Sequence, residues 1–281
     1  MIHLVTDSTA YMPASLLKQW DIHTISLKLT MGDETLDEDD VPRDTFYSYL
    51  ENVNNAPTTS QPPVGEFIAL YTSLLQSDED EILSVHISGG LSGTVQAAEL
   101  AAANVAPDRI TVVDSRSTTG PLAMLVLATA HVLRAGASRA EAAARVRGLS
   151  QKHAGIFMVS DLQYLAKGGR INGAAKFLNN VLQVRPILHL KAGKIDGLTL
   201  ARTRKRGLRQ IMGELEKRVG NTGPIYAAVT HIQAEEEARE LSDEIRERFD
   251  CLQLVINETG PVIGAHVGPG FIGVGGCPAG V

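Results

Sequence analysis

The feature that most constrains this chain is a repeated order of short β-prone apolar run, polar loop and helix, met three times in its first half. His3 to Thr6 stops at Asp7-Ser8-Thr9, ahead of a helix entered at Pro13. Ile82 to Ile87 leads through Ser88-Gly89-Gly90-Leu91-Ser92-Gly93 into a helix over Thr94 to Ala103. Ile110 to Val113 leads through Asp114-Ser115-Arg116-Ser117-Thr118 into a helix over Pro121 to Leu133. Strand-loop-helix repetition predicts a parallel, Rossmann-like sheet covered by helices. Ligands of such sheets collect beyond the carboxyl ends of the strands, so the three polar loops are expected to meet at one edge and to frame any site.

After an Ala- and Arg-rich helix over Ser138 to Lys152 the pattern changes. A strand over Ile156 to Val159, a helical Asp161 to Lys167 and a Gly168-Gly169-Arg170 turn come first. Strands over Arg185 to Lys191 and Leu198 to Arg202 follow, joined at Ala192-Gly193-Lys194. Then come a helix over Lys205 to Arg218, a strand over Ile225 to Thr230, a helix over Ala234 to Phe249 and a strand over Leu252 to Ile256. A hairpin among βα units predicts a mixed sheet. The expected fold is therefore α/β with two domains, a parallel-sheet domain over 1–150 and a mixed-sheet domain over 151–281, parted near Gln151. Glu51 to Gly65, rich in Asn, Thr, Ser and Pro, reads as an irregular functional loop ahead of a helix over Val64 to Leu75. The glycine-dense Glu258 to Gly276 reads as backbone that approaches another group closely.

Charge and cysteines narrow the function. The 32 acidic and 26 basic side chains leave a net charge of -6, against a nucleic-acid binder that gains affinity by neutralising phosphates. Cys251 and Cys277 form no CxxC pair and no ligand-spaced set, so neither a disulfide framework nor a metal site is expected. No basic start and apolar run suggests a secretory leader, and Leu122 to Leu133 is too short to span a bilayer, so a cytoplasmic protein is expected.

Nucleotide motifs fail on context. Gly268-Pro269-Gly270-Phe271-Ile272-Gly273 has the letters of a dinucleotide fingerprint but no strand-to-helix setting, and a P-loop does not occur. Gly90-Leu91-Ser92-Gly93-Thr94 falls one residue short of a nucleophile elbow, with Thr94 in place of the final glycine. Ser92 is either an ordinary helix cap or, with the amides of Gly93 and Thr94, a receiver for an anion at the helix start. Thr59, in Thr58-Thr59-Ser60-Gln61-Pro62-Pro63, is either a turn residue or a neutral hydroxyl folded over the same sheet edge. Neutral hydroxyls and amides can satisfy a buried carboxylate without adding a second charge. His266 and Arg170 read either as ordinary surface or core residues or as partners of an anion. Asp7, Asp114 and Asp161 read as caps or loop anchors. Arg202, Arg204, Lys205, Arg206 and Arg209 form a basic cluster on an acidic protein, either a solvated helix face or a docking patch for an acidic partner.

Five ordered motifs resemble the DegV family: Thr59-Ser60-Gln61-Pro62, Leu91-Ser92-Gly93-Thr94, Val113-Asp114-Ser115, Tyr164 to Ile171 and Gly264 to Gly270. The resemblance runs along essentially the whole chain. It implies two α/β domains that enclose one long-chain fatty acid between them, the acyl chain in a buried tunnel and the carboxylate in the cleft. Thr59, Ser60, Ser92 and Gly93 are implied to bind the carboxylate, with Arg170 and His266 at the mouth. No catalytic residue, metal or cofactor is implied beyond the bound fatty acid. Some members carry the acyl group for a separate ATP-binding fatty acid kinase subunit, which would explain phosphate-compatible residues without a nucleotide motif and give the basic cluster a partner. A transient contact with a membrane surface is compatible with loading. The chain departs from the family at Ser88-Gly89-Gly90-Leu91, where a second serine is common. The alternative reading is a serine esterase that uses Ser92 and His266 with Asp7 or Asp114, which occur in the order Ser92, Asp114, His266.

Overall fold

The computed structural model describes residues 1–52, 56–180, 184–220 and 223–279. Its first half runs β1 (Ile2–Asp7), α1 (Ala14–Trp20), β2 (Ile22–Ile25), β3 (Lys28–Met31), β4 (Glu34–Asp37), α2 (Arg43–Asn52), β5 (Thr58–Ser60) and α3 (Val64–Leu74). It continues with β6 (Glu81–His86), α4 (Thr94–Val105), β7 (Ile110–Asp114), α5 (Thr119–Arg134) and α6 (Arg139–Lys152). The second half holds β8 (Ala154–Met158), α7 (Gln163–Lys167), β9 (Arg185–Lys191), β10 (Lys194–Ala201) and α8 (Arg204–Val219). It closes with β11 (Ile225–His231), α9 (Glu235–Arg248), β12 (Cys251–Glu258), α10 (Pro261–Val267) and β13 (Ile272–Pro278).

The fold is α/β, as the sequence pattern predicts. Strands β2-β1-β6-β7 form a parallel sheet, and β10-β9-β8-β13-β11-β12 form a six-stranded mixed sheet. The chain leaves β1 to one side for β2 and later to the other for β6, which makes the carboxyl ends of β1 and β6 the switch point of the parallel sheet. Asp7 ties that point together. It is fully buried, accepts from the amides of Thr9 (3.1 Å) and Ile87 (2.7 Å), and meets His86 Nδ1 at 3.0 Å.

Two segments depart from the expected pattern. Thr58–Ser60 is a strand, because Thr59 pairs antiparallel with the fully buried Leu29 in a small sheet β4-β3-β5, where cross-strand pairing outweighs weak local propensity. Residues 53–55 of the expected loop lie outside the described residues. The glycine-dense tail supplies a helix, α10, and then β13, which enters the middle of the mixed sheet between β8 and β11. Glycine is tolerated there because helices lie directly on the strand: a Cβ at Gly275 would stand 2.7 Å from Pro121 Cγ.

Helix α5 is apolar all round and buried along Thr119 to Ala130, so it lies inside the protein, with the parallel sheet on one side and β11 and β13 on the other. A polar latch also joins the two halves. Glu38, 2% exposed, accepts from Ser8 Oγ (2.5 Å), Tyr11 OH (2.5 Å) and the Val262 amide (2.7 Å), and Tyr11 OH accepts from the Ile263 amide at 3.1 Å. Asn257 Nδ2 donates to Ala10 and Tyr11 carbonyls at 3.2 and 2.5 Å, and Tyr47 OH to the Thr259 carbonyl at 3.0 Å.

Burial pushes the Glu38 carboxyl up to about 7, against the pull of its three donors. A raised acid holds its proton more tightly folded than unfolded, so stability falls as pH rises from about 4.5 to about 7 and is level above. Glu38→Gln is expected to remove that slope, at most about 1.4 kcal/mol per pH unit. Urea midpoints of both proteins across that window check it; parallel curves would assign the slope to other groups.

Candidate functional site

Between the parallel sheet's carboxyl edge and the mixed sheet lies a cavity of ≈ 290 Å³. Its wall is mainly apolar, with Leu27, Ile87, Leu91, Leu165, Leu190 and Phe271 contributing side chains. Thr59, Ser60, Gln61, Ser92, Gly93, Arg170 and His266 also line it. A second, more polar cavity of ≈ 600 Å³ shares Thr59, Arg170 and His266 with the first and adds Asp161, Gln163 and Lys167. The three shared residues thus stand where an apolar chamber meets a polar vestibule.

Local structure explains how these side chains converge. Pairing of β5 with β3 carries Thr59 over the sheet edge, and its Oγ1 lies 2.8 Å from His266 Nε2 in the last turn of α10. Gly168, at the end of α7, lets the imidazole lie against the backbone, since a Cβ there would stand 2.1 Å from His266 Nδ1. Arg170 bridges the halves: its Nε donates to the Leu91 carbonyl at 3.1 Å and its Nη1 to the Gly168 carbonyl at 2.6 Å. That use of two donors leaves Nη2 for an anion. Ser92 Oγ shares a hydrogen bond of 2.9 Å with Thr94 Oγ1, while Gly93 occupies the N-cap position of α4 without a side-chain cap.

The loops expected at one edge do meet. Ser88 N donates to the Ser117 carbonyl at 2.8 Å, and the Ile87 amide reaches Asp7. Ser88 Oγ also donates to the Gly193 carbonyl, 2.7 Å away in the β9–β10 turn. That turn also excludes a side chain at Gly90, where a Cβ would stand 2.6 Å from the Gly193 carbonyl oxygen, whereas at Gly89, beside Ser88, a Cβ would meet Asp114 Oδ2 at 3.2 Å.

A catalytic triad is not assembled. Ser92 hydrogen-bonds Thr94 rather than His266, His266 Nε2 is taken by Thr59, and His266 Nδ1 has no partner among the described residues. Asp7 is held by Thr9, His86 and Ile87, and Asp114 Oδ1 accepts from the Arg116 amide at 2.7 Å. Among the described residues no carboxylate therefore orients the imidazole. In the basic cluster, Arg204 is committed internally, with Nη2 2.6 Å from Glu237 and Nη1 2.8 Å from the Gly270 carbonyl. Arg202, Lys205, Arg206 and Arg209 are exposed. No group of residues suited to a metal ion occurs among the described residues, and no helix there is long and apolar enough to cross a membrane.

Fold and site together define an α/β protein built on two main sheets, with a mainly apolar chamber at the switch point of the parallel one. The chain belongs to the DegV family, whose model, described as uncharacterised protein, DegV family, matches residues 1–279. Protein DegV of Bacillus subtilis is 36% identical over 280 residues, covering 98% of this chain and 99% of that one. The structure of a Thermus thermophilus DegV family protein described as fatty acid binding matches with a TM-score of 0.93 and 32% identity, over 98% of this chain and 99% of that one. The crystal structure of B. subtilis DegV, described as a fatty acid binding protein, matches at 0.87 and 34% identity over 98% of both chains.

Burial first, and then the charge of Arg170, lower the His266 pKa to about 4, so the imidazole is neutral at pH 7. In ligand-free protein its Cε1 proton is expected to titrate near 4 by NMR. Arg170→Gln should move that midpoint upward, toward 6.5, and an unmoved midpoint would leave burial as the whole cause.

Proposed function

We propose that this chain holds one long-chain fatty acid, its acyl chain in the apolar chamber and its carboxylate at Thr59, Ser60, Ser92 and the Gly93 amide, with Arg170 and His266 at the mouth. The supporting observation is the position of Thr59, Arg170 and His266 on the border between chamber and vestibule. If the His266 proton sits on Nε2, the ring donates to Thr59 Oγ1 and frees the threonine hydroxyl to donate to the anion. Arg170 supplies the positive charge and the neutral groups set orientation. Burying about fifteen methylenes at ~0.8 kcal/mol each offers on the order of 10 kcal/mol before association costs, so the tail supplies most of the affinity.

In this reading the protein performs no chemistry of its own. It presents the carboxylate through the vestibule to a separate ATP-dependent fatty acid kinase subunit, which forms the acyl phosphate. The exposed Arg202, Lys205, Arg206 and Arg209 form the docking patch, and Arg204 is left to its internal role. Among the described residues no sheet mixes strands β1 to β7 with strands β8 to β13, and this break between α6 and β8 supports domains over 1–150 and 151–281, with the ligand between them. The work is placed in the cytoplasm, with loading from a membrane surface.

Native mass spectrometry of protein purified without added lipid is expected to show one fatty acid per chain, lost in a Thr59→Ala/Ser92→Ala double variant. Protein that carries none and takes up neither palmitate nor oleate would overturn the reading. Arg206→Glu/Arg209→Glu is expected to weaken capture by the kinase subunit several-fold, more at low salt than at high, with fatty acid content unchanged. Equal capture would move the docking surface elsewhere.

A further inference from the structure

Three threonines line the apolar chamber, outside the group that borders the vestibule. Thr118 and Thr119 occupy the turn from β7 into α5, and Thr230 lies in β11 on the facing sheet. Thr119 is 5% and Thr230 2% exposed. Thr118 Oγ1 is sealed from solvent without a hydrogen-bond partner, and no described residue hydrogen-bonds the side chain of Thr119 or Thr230. The start of α5 packs closely on β11, since a Cβ at Gly120 would stand 2.8 Å from Thr230 Cγ2 and 2.6 Å from Ala228 Cβ.

The turn that carries them is strained. Thr119 has φ +52°, a left-handed conformation that is an outlier for a β-branched residue. It also begins a 16-residue helix whose N-cap, Thr118, makes no side-chain cap bond. The amides of Thr119 and Gly120 precede Pro121 in the uncapped first turn, where backbone donors lack helical partners. A hydroxyl left unpaired in an apolar setting is destabilising, and a ligand oxygen that pairs with it recovers that cost. An isolated anion is a poor match here: the described cations of the site, Arg170 and Lys167, line the mouth and vestibule.

We propose that this threonine patch recognises a neutral oxygen on the acyl chain, so that the preferred ligand is a long-chain fatty acid bearing an internal hydroxyl or keto group. The inference rests on the fatty acid reading above and adds the class of chain. An internal oxygen accepts from the first-turn amides of α5 or the threonine hydroxyls, and a chain hydroxyl donates back to a threonine oxygen. The head remains at Thr59 and Ser92. Selectivity then depends on where along the chain the oxygen falls, which hydrophobic contact alone discriminates poorly.

The test is competition binding of stearic acid against a series of hydroxystearic acids with the hydroxyl at successive mid-chain carbons. At least one regioisomer is expected to bind several-fold tighter than stearic acid, and Thr118→Val/Thr230→Val to reverse the order, because it removes hydroxyls that stearic acid leaves unpaired. Thr230→Val alone, nearly isosteric, keeps the test available if the double variant folds poorly. Stearic acid bound as tightly as every regioisomer, or a preference that survives these substitutions, overturns the inference and leaves the fatty acid reading standing. Failure of all of these acids to bind overturns both.

Discussion

Everything in this structure depends on how closely helix α5 lies against the mixed sheet. Its residues from Leu122 to Leu127 are at most 1% exposed, so the helix belongs equally to the core of the parallel sheet and to that of the mixed one. Close approach requires a sheet face almost without side chains, and Gly275 on β13 and Ala228 on β11 provide it. Loss of one large buried side chain from α5 would cost about 2–5 kcal/mol and loosen both sheets together. The chamber lies beside this contact and is lined at the helix N-terminus by Thr118, Thr119 and Pro121.

The second constraint is the return of the chain's end. Without α10 and β13 the mixed sheet would lack an inner strand and Thr59 its histidine. The Glu38 latch holds the start of α10 through the Val262 amide, while His266 projects near its other end to meet Thr59. A buried acid far from the mouth therefore helps to position the imidazole that closes it. Arg170 plays a similar joining part, with one donor on the β6–α4 loop and another on the end of α7.

Much of the site could be read along the chain because its polar members lie in loops with distinct signals. Ser92 and Gly93 follow a strand and open a helix, and Arg170 follows two glycines. Thr59 was harder, since Thr58–Ser60 looks irregular until Leu29 is found opposite it. The apolar lining carried no signal of its own: Leu27, Ile87 and Leu190 look like any core residue. Thr118, Thr119 and Thr230 were equally silent, because nothing local says that their hydroxyls find no partner. Arg204 shows the reverse case, a residue that joins a basic cluster in sequence and a part-buried network with Glu237 and Gly270 in space.

By itself the amino-acid sequence determined the fold class, the parallel arrangement of β1, β6 and β7, the edge where the site would lie, and the family. These depend on periodicity and on loop chemistry within a few residues, which local physics writes directly into the chain. Tertiary structure alone decided that a glycine-rich tail becomes an inner strand, that Gly193 excludes a side chain at Gly90, and that His266 meets Thr59 across 207 positions. It also decided that His266 is neutral and Glu38 slow to ionise, since the cost of burying a charge is set by what surrounds it in three dimensions.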